Sequence, residues 1–271
     1  MAKTVLVTGA GRGIGLAAAE AFERAGWNVV ATARDQAALD RLAARGWTAI
    51  PLDIEQASAT AEAARRALEA GPPSVLVNNA GYAELGPVET VDRSRWRRQF
   101  ETNVFGPFDL ARRLLPAMRA MGGGRVIQMS SALGRQSAPW AGVYAASKFA
   151  LEAATDAFRV EVRPWNVGVT LVEPGFVRGD FVDAAVAGMD ASLEPGNPYD
   201  RSRRNLDPWL ARVHRFAVTP ERVAAVILRE ATRPRPRARA VVGFAARASL
   251  VARALAPGSL VDLVMHRVLS R

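Results

Sequence analysis

The chain has 271 residues, 49 per cent of them apolar, which is ample for a large core, and its net charge is +10. It has no cysteine, so disulfides and thiolate metal sites are excluded, and its two histidines, His214 and His266, stand far apart in poor ligand company, so no metal is expected. The N-terminus has no secretory pattern and no apolar stretch reaches the roughly 18 residues of a membrane span, so a soluble, cytoplasmic protein is expected.

The charge is unevenly placed. Residues 1 to 200 hold 21 basic and 22 acidic side chains, whereas residues 201 to 271 hold 15 arginines and 4 acids. Such a basic segment suits a polyanion or an acidic membrane surface, or is merely a solvated arginine-rich face. Without interleaved aromatics or a nucleic-acid fold signature, nucleic acid is not expected as a partner.

In chain order, apolar runs rich in β-branched residues alternate with Ala/Leu-rich helical stretches. Val5 to Val7 precedes a helix near Ile14 to Ala25, Val29 to Thr32 a helix to Ala44, and Ala49 to Leu52 a helix over Ala57 to Ala70. Then come Val75 to Val77, a long helical stretch from about Val91 to Met121, Val126 to Met129, a helix opening near Tyr144, Val167 to Val172, and Val241 to Val242. Continuous apolarity suits strands buried on both faces. The order predicts one α/β domain over 1–271: a doubly wound, Rossmann-type, mostly parallel seven-stranded sheet with helices on both faces. A closed eight-stranded barrel is the runner-up, but it needs a further strand and helix.

The first strand-to-helix turn reads Thr8-Gly9-Ala10-Gly11-Arg12-Gly13-Ile14-Gly15. Glycines there let backbone approach a pyrophosphate, and the helix N-terminus offers free N–H groups and partial positive charge. The usual G-x-G-x-x-G spacing is not met, since Ile14 stands where the third glycine belongs, but the strand–loop–helix context is right for a wider-spaced variant.

Tyr144 and Lys148 are four apart, so on a helix they share one face. An ammonium about 5 Å from a phenolate, at an effective dielectric near 20, stabilises the anion by roughly 3 kcal/mol, or about two pKa units. That would let Tyr144 exchange a proton near neutral pH. Of 36 basic residues only Lys3 and Lys148 are lysine, which suggests that a compact ammonium is wanted here.

Together these motifs resemble the short-chain dehydrogenase/reductase family in its shorter single-domain form, over residues 3 to about 243. The resemblance is carried by the Thr8 to Gly15 loop, Asp53, Asn78-Asn79-Ala80-Gly81, Asn103, Ser131 thirteen residues before Tyr144, the Tyr144/Lys148 pair, and Pro174-Gly175. It implies an oxidoreductase in which Tyr144 is the general acid/base, Lys148 lowers the tyrosine pKa and holds the nicotinamide ribose, and Ser131 fixes the substrate oxygen. Asn103, a poor helix residue in a long helix, would hold a water in a proton relay. Ser130 is the rival to Ser131, but it should point away from the pocket if the strand continues.

For the cofactor, the resemblance implies contacts from Gly9, Arg12, Gly13, Ile14, Gly15, Asn79, Ala80, Gly81, Pro174, Gly175 and Val177. Asp53 would accept a hydrogen bond from the adenine amino group, and as a helix cap it is equally compatible with the sequence. Ala33 occupies the family's ribose-binding acid position and is followed by Arg34, with Arg12 able to converge on the same 2′-phosphate, so NADP(H) is favoured over NAD(H). Asp35 reads as the N-cap of the next helix. A departure is Gly179, where the family usually has a threonine.

Residues 179–219 form a long connection holding Phe181, Val186, Met189, Trp209 and Phe216, read as a substrate lid. With Trp140 and Tyr82 as walls, an apolar ketone or aldehyde is the expected substrate; alternatively these side chains are the lid's own core. The 245–271 tail, broken at Pro257-Gly258, reads as two amphipathic helices for dimer contact or substrate cover, membrane-surface docking, or disorder. A homo-oligomer is expected. A carbonyl reductase is the favoured reading, against a non-catalytic NADP sensor or a non-redox nicotinamide-using enzyme of the same fold.

Overall fold

A computed structural model describes residues 3–193 and 196–270, with side chains to 267. In chain order the elements are β1 (Thr4–Val7), α1 (Gly13–Arg24), β2 (Asn28–Ala33), α2 (Gln36–Ala43), β3 (Thr48–Pro51), α3 (Ala57–Glu69) and β4 (Val75–Asn78). There follow α4 (Arg93–Phe100), α5 (Gly106–Ala120), β5 (Gly124–Met129), α6 (Gly142–Glu161), β6 (Val167–Pro174), α7 (Phe181–Asp190), α8 (Asp200–His214), α9 (Pro220–Thr232), β7 (Arg239–Val242), α10 (Phe244–Leu255) and α11 (Gly258–Ser270).

The strands form one seven-stranded sheet in the order β3-β2-β1-β4-β5-β6-β7, and all pairs are parallel. Parallel strands need covered faces, and successive side chains supply both covers. Val5 and Val7 enter a layer with Phe22, Val223 and Ile227, while Leu6 between them enters the opposite layer with Leu76, Leu110 and Met118. The chain reverses its winding between β1 and β4, and that switch point opens a crevice at the strands' carboxyl ends.

Two local features depart from the sequence reading, and the tail forms two helices as it expects. The long helical stretch is not uniform: Glu101–Phe105 between α4 and α5 is a π-helical turn, and it contains Asn103. The 179–219 connection holds two helices, α7 and α8, and its end makes an isolated parallel bridge, Val177 with Val218, beside the sheet. The tail forms α10 and α11, and α11 packs against α8 rather than against the sheet.

Candidate active site

The glycine loop after β1 and the loop after β4 are tied into one platform. Thr8 Oγ1 accepts hydrogen bonds from the backbone N–H of Asn79 and Ala80, both at 2.9 Å. Asn79 Nδ2 donates back to the Thr8 carbonyl at 2.8 Å and the Gly9 carbonyl at 3.2 Å. Glycine is required at two of these positions. Gly9 has φ +65° and its absent Cβ would stand 3.0 Å from Ala80 Cα, while a Cβ on Gly15 would lie on the Gly9 carbonyl and 2.5 Å from Asn79 Nδ2.

This platform fits a dinucleotide. Arg12 at the N-cap of α1 makes no side-chain cap hydrogen bond, and a Cβ on Gly13 would meet nothing within 4 Å. Open space therefore borders the uncapped first turn, where backbone donors and the helix dipole favour a pyrophosphate. Ile14 is part-buried against the core layer that contains Val5 and Phe22.

At the end of β2, Ala33 is buried, and its Cβ would lie 3.6 Å from a Cβ placed on Gly11. Asp35 caps α2, its carboxylate accepting from the Ala38 N–H at 2.8 Å. Arg34 is exposed, and Arg12 lies 3.6 Å from Asp180, both of them solvated. Asp53 uses its carboxylate locally, accepting from the Glu55 N–H at 3.3 Å and from Gln56 Nε2 at 3.0 Å, which is a turn-capping role.

Tyr144 and Lys148 lie on the inner face of α6, both buried. Lys148 Nζ donates to the Met129 carbonyl at 2.8 Å and sits 5.8 Å from the centre of the Tyr144 ring. Burial pushes the phenol up to about 12, against a hydrogen bond with Ser131 that lowers it. Burial likewise lowers the lysine to about 8, opposed by the charge of Glu152. The direction is opposite to the expected acidic phenol: in the protein alone, desolvation of the phenolate outweighs the hydrogen bond with Ser131.

Ser131, at the carboxyl end of β5, accepts from the Leu133 N–H at 3.1 Å, which opens a 3₁₀ turn over Ala132–Gly134. Ser130 faces the other way, toward Glu152, and a Cβ on Gly134 between them would meet Ser130 Oγ at 2.6 Å. Asn103 is spent as a clamp: Nδ2 donates to the Tyr82 carbonyl and to Ser147 Oγ, both at 3.1 Å, and Oδ1 accepts from the Tyr82 N–H at 3.3 Å. Ser147 in turn donates to the Tyr144 carbonyl at 2.7 Å. The side chain expected to hold a relay water thus fixes the Gly81–Tyr82 loop to α6.

The Pro174 to Gly179 strap crosses the open edge. Gly175 N–H donates to the Val242 carbonyl at 3.1 Å, and Val177 pairs with Val218. Gly179 has φ +122°, where a threonine would be strained. Beyond it, the Phe181 ring meets the Tyr144 ring edge-on at 6.1 Å, and Ala83, Ala185, Leu85 and Leu133 complete an apolar cover over the tyrosine.

Trp140 is not a wall beside Tyr144. It packs in a separate cluster with Met189 and Leu206 and meets Tyr199 edge-on at 5.9 Å, with Leu85 bridging to the Tyr144 cluster. Its φ of +70° is uncommon for a bulky residue. Tyr82 lies beneath the Arg98 guanidinium, 5.4 Å from the ring centre.

A buried ionic cluster behind Lys148 was not read from the sequence. Arg239 Nε donates to Glu152 at 2.9 Å and lies 3.3 Å from Glu173, which also meets Arg135 at 3.3 Å. Burial raises Glu173 to about 7, and burial raises Glu152 as well. The available signals were a lone acid inside the apolar run of β6, and an acid one helical turn past Lys148.

Residues 3–190 match the family described as short chain dehydrogenase. The chain is 34% identical over 268 residues to the uncharacterised oxidoreductase YbbO of Escherichia coli K12, covering 98% of this chain and 95% of that protein. It is 31% identical to retinol dehydrogenase 8 of Bos taurus over 86% of this chain and 79% of that one. Among solved structures, a short-chain dehydrogenase from Streptomyces avermitilis superposes with a TM-score of 0.83 at 34% identity, covering 100% of this chain and 98% of that one. A short-chain dehydrogenase/reductase from Burkholderia phymatum in complex with NAD gives 0.80 at 28% identity and 93% of each chain. A metagenomic short-chain oxidoreductase in complex with NADP gives 0.67 at 30% identity, over 89% of this chain and 96% of that one.

Proposed function

Since the chain belongs to the short-chain dehydrogenase family and is an oxidoreductase built for a nicotinamide cofactor, we propose that it uses NADP(H) to reduce the carbonyl of an apolar small molecule. The reading is carried by one juxtaposition: the buried Tyr144, with Ser131 acting on its hydroxyl and Lys148 behind it, lies against an apolar cluster of Ala83, Ala185, Leu85 and Leu133.

When bound, the nicotinamide supplies or accepts the hydride. The glycine loop and the first turn of α1 would hold its pyrophosphate, and Asn79 to Gly81 with Pro174 to Val177 would hold the remainder of the dinucleotide. The 2′-phosphate preference is supported by Ala33 in place of an acid, by the exposed Arg34, and by an Asp35 carboxylate already engaged as a cap.

Tyr144, with its proton held up to about 12, is a donor at neutral pH. It gives that proton to the carbonyl oxygen as the oxygen gains charge, Ser131 donates a hydrogen bond to the same oxygen, and the Lys148 ammonium stabilises the tyrosinate left behind. Phe181, Leu85, Leu133 and Ala185 exclude water and would seat an apolar group, in keeping with a relative named for retinol.

The test is NADPH consumption against a panel of apolar ketones and aldehydes with Tyr144→Phe beside the parent. Turnover should fall by about 10² or more, the scale of general acid catalysis, while NADPH affinity stays within a few-fold. Tight NADPH binding by the parent with no turnover on any carbonyl would favour a cofactor sensor instead.

A further inference from the structure

We propose that the C-terminal quarter docks on an acidic phospholipid bilayer, through an arginine pocket joined to the outer face of α10. The pocket is about 290 Å³ and is lined by Arg178, Arg215, Arg222, Phe216 and Phe244. No described acid lies within ion-pair distance of any of its three guanidinia, although other arginines find partners throughout the molecule: Arg45 with Glu20, Arg203 with Asp190, Arg239 with Glu152. The acid next in sequence, Glu221, accepts a hydrogen bond from Thr219 at the start of α9. Three exposed, unpaired guanidinia around one concavity create a strong site for a phosphate-bearing headgroup.

Phe244 connects this pocket to a second feature. Helix α10 is mostly apolar, broken by Arg247, Ser249 and Arg253, and is covered on one side only. Ala246 and Leu250 are buried, while Phe244, Val251 and Leu255 are 83%, 58% and 80% exposed. Positions 244, 248, 251 and 255 share one helix face, so these side chains form a stripe of about 16 Å. On α11 the exposed Leu260, Leu263 and Val264 repeat the pattern on one face. Phe216, 65% exposed, adds a further aromatic at the pocket rim.

Charge decides what covers this surface. Residues 201 to 271 hold 15 arginines against 4 acids, so a second copy of the chain would bring the same excess against itself. A nucleic acid would satisfy the arginines but leave the stripe in water. An acidic bilayer answers both, with phosphates for the guanidinia and an acyl boundary for Phe244, Val251 and Leu255. No helix among the described residues is long and apolar enough to cross a membrane, so the attachment lies in the interface.

Co-sedimentation of the full chain with vesicles tests this. Vesicles of equal parts phosphatidylcholine and phosphatidylglycerol should pellet the protein, phosphatidylcholine alone should not, and salt at about 1 M should release it by screening. The double variant Arg215→Gln/Arg222→Gln should weaken partition about fivefold per arginine removed. Phe244→Ser/Leu255→Ser should weaken it at least tenfold at unchanged charge. All four side chains are exposed, so each variant should keep the parent's circular dichroism and nicotinamide binding. Equal pelleting with neutral and acidic vesicles would overturn the proposal, as would acidic-vesicle binding that neither double variant changes. Sedimentation velocity showing a lipid-free dimer that Phe244→Ser/Leu255→Ser dissolves would assign the stripe to self-association and overturn it too.

Discussion

The protonation of two buried residues sets what the site can do. The Lys148 ammonium is held by the Met129 carbonyl yet lowered to about 8, so it begins to lose its proton just above neutrality. If the ammonium is needed to stabilise a developing tyrosinate, kcat/KM for reduction should fall above about pH 8, a limb that reports the free enzyme. A profile flat to pH 10 would remove Lys148 from the chemistry. At the other end of the crevice, Arg34→Ala should weaken NADPH at least tenfold and NADH by less than threefold, about 1.4 kcal/mol against little, as read by isothermal titration. The Tyr144, Lys148 and Ser131 set was legible because its spacing is local, one helix turn and one loop. The tyrosine's acidity was not, since desolvation depends on Phe181 and Ala185, which arrive from 37 and 41 residues downstream. Glu173 was overlooked for a related reason: its partners Arg135 and Arg239 come from the turn after β5 and from β7.

Strands and the helices between them were the most readable elements, since β1 and β4 are buried on both faces and therefore continuously apolar. The 179–219 connection was legible as a long apolar link but not as the two helices α7 and α8 that it forms. Helix α2 shows how a cap resolves a functional ambiguity. Asp35 accepts from the Ala38 N–H, so Asp35→Ala should cost about 1 kcal/mol and lower the melting temperature by about 2 °C. Were it a ribose ligand instead, the variant would lose NADH affinity at unchanged melting temperature. Calorimetry alongside titration separates the two.

Across the molecule, the acid-and-arginine cluster joins α6, β6, β7 and the turn after β5 through Glu152, Glu173, Arg239 and Arg135. Glu173 is raised to about 7, so between its unfolded value of about 4.3 and pH 7 the folded state keeps a proton that the unfolded chain releases. Its contribution is therefore full below about pH 4.3 and is lost as pH rises through 7. Melting temperatures at pH 5 and pH 7.5 should differ less in Glu173→Gln than in the parent, and an equal difference would refute the assignment. The wide turn at Glu101–Phe105 has a different reach. It spends one residue more per turn than the helices on either side, so deleting any one of its five would make α4 and α5 a single regular rod. At about 100° of rotation per residue, that rod would swing α4 off α6 if α5 stayed against α3. The surplus residue is what lets one helical run serve two neighbours, and the length of this run is therefore fixed to the residue.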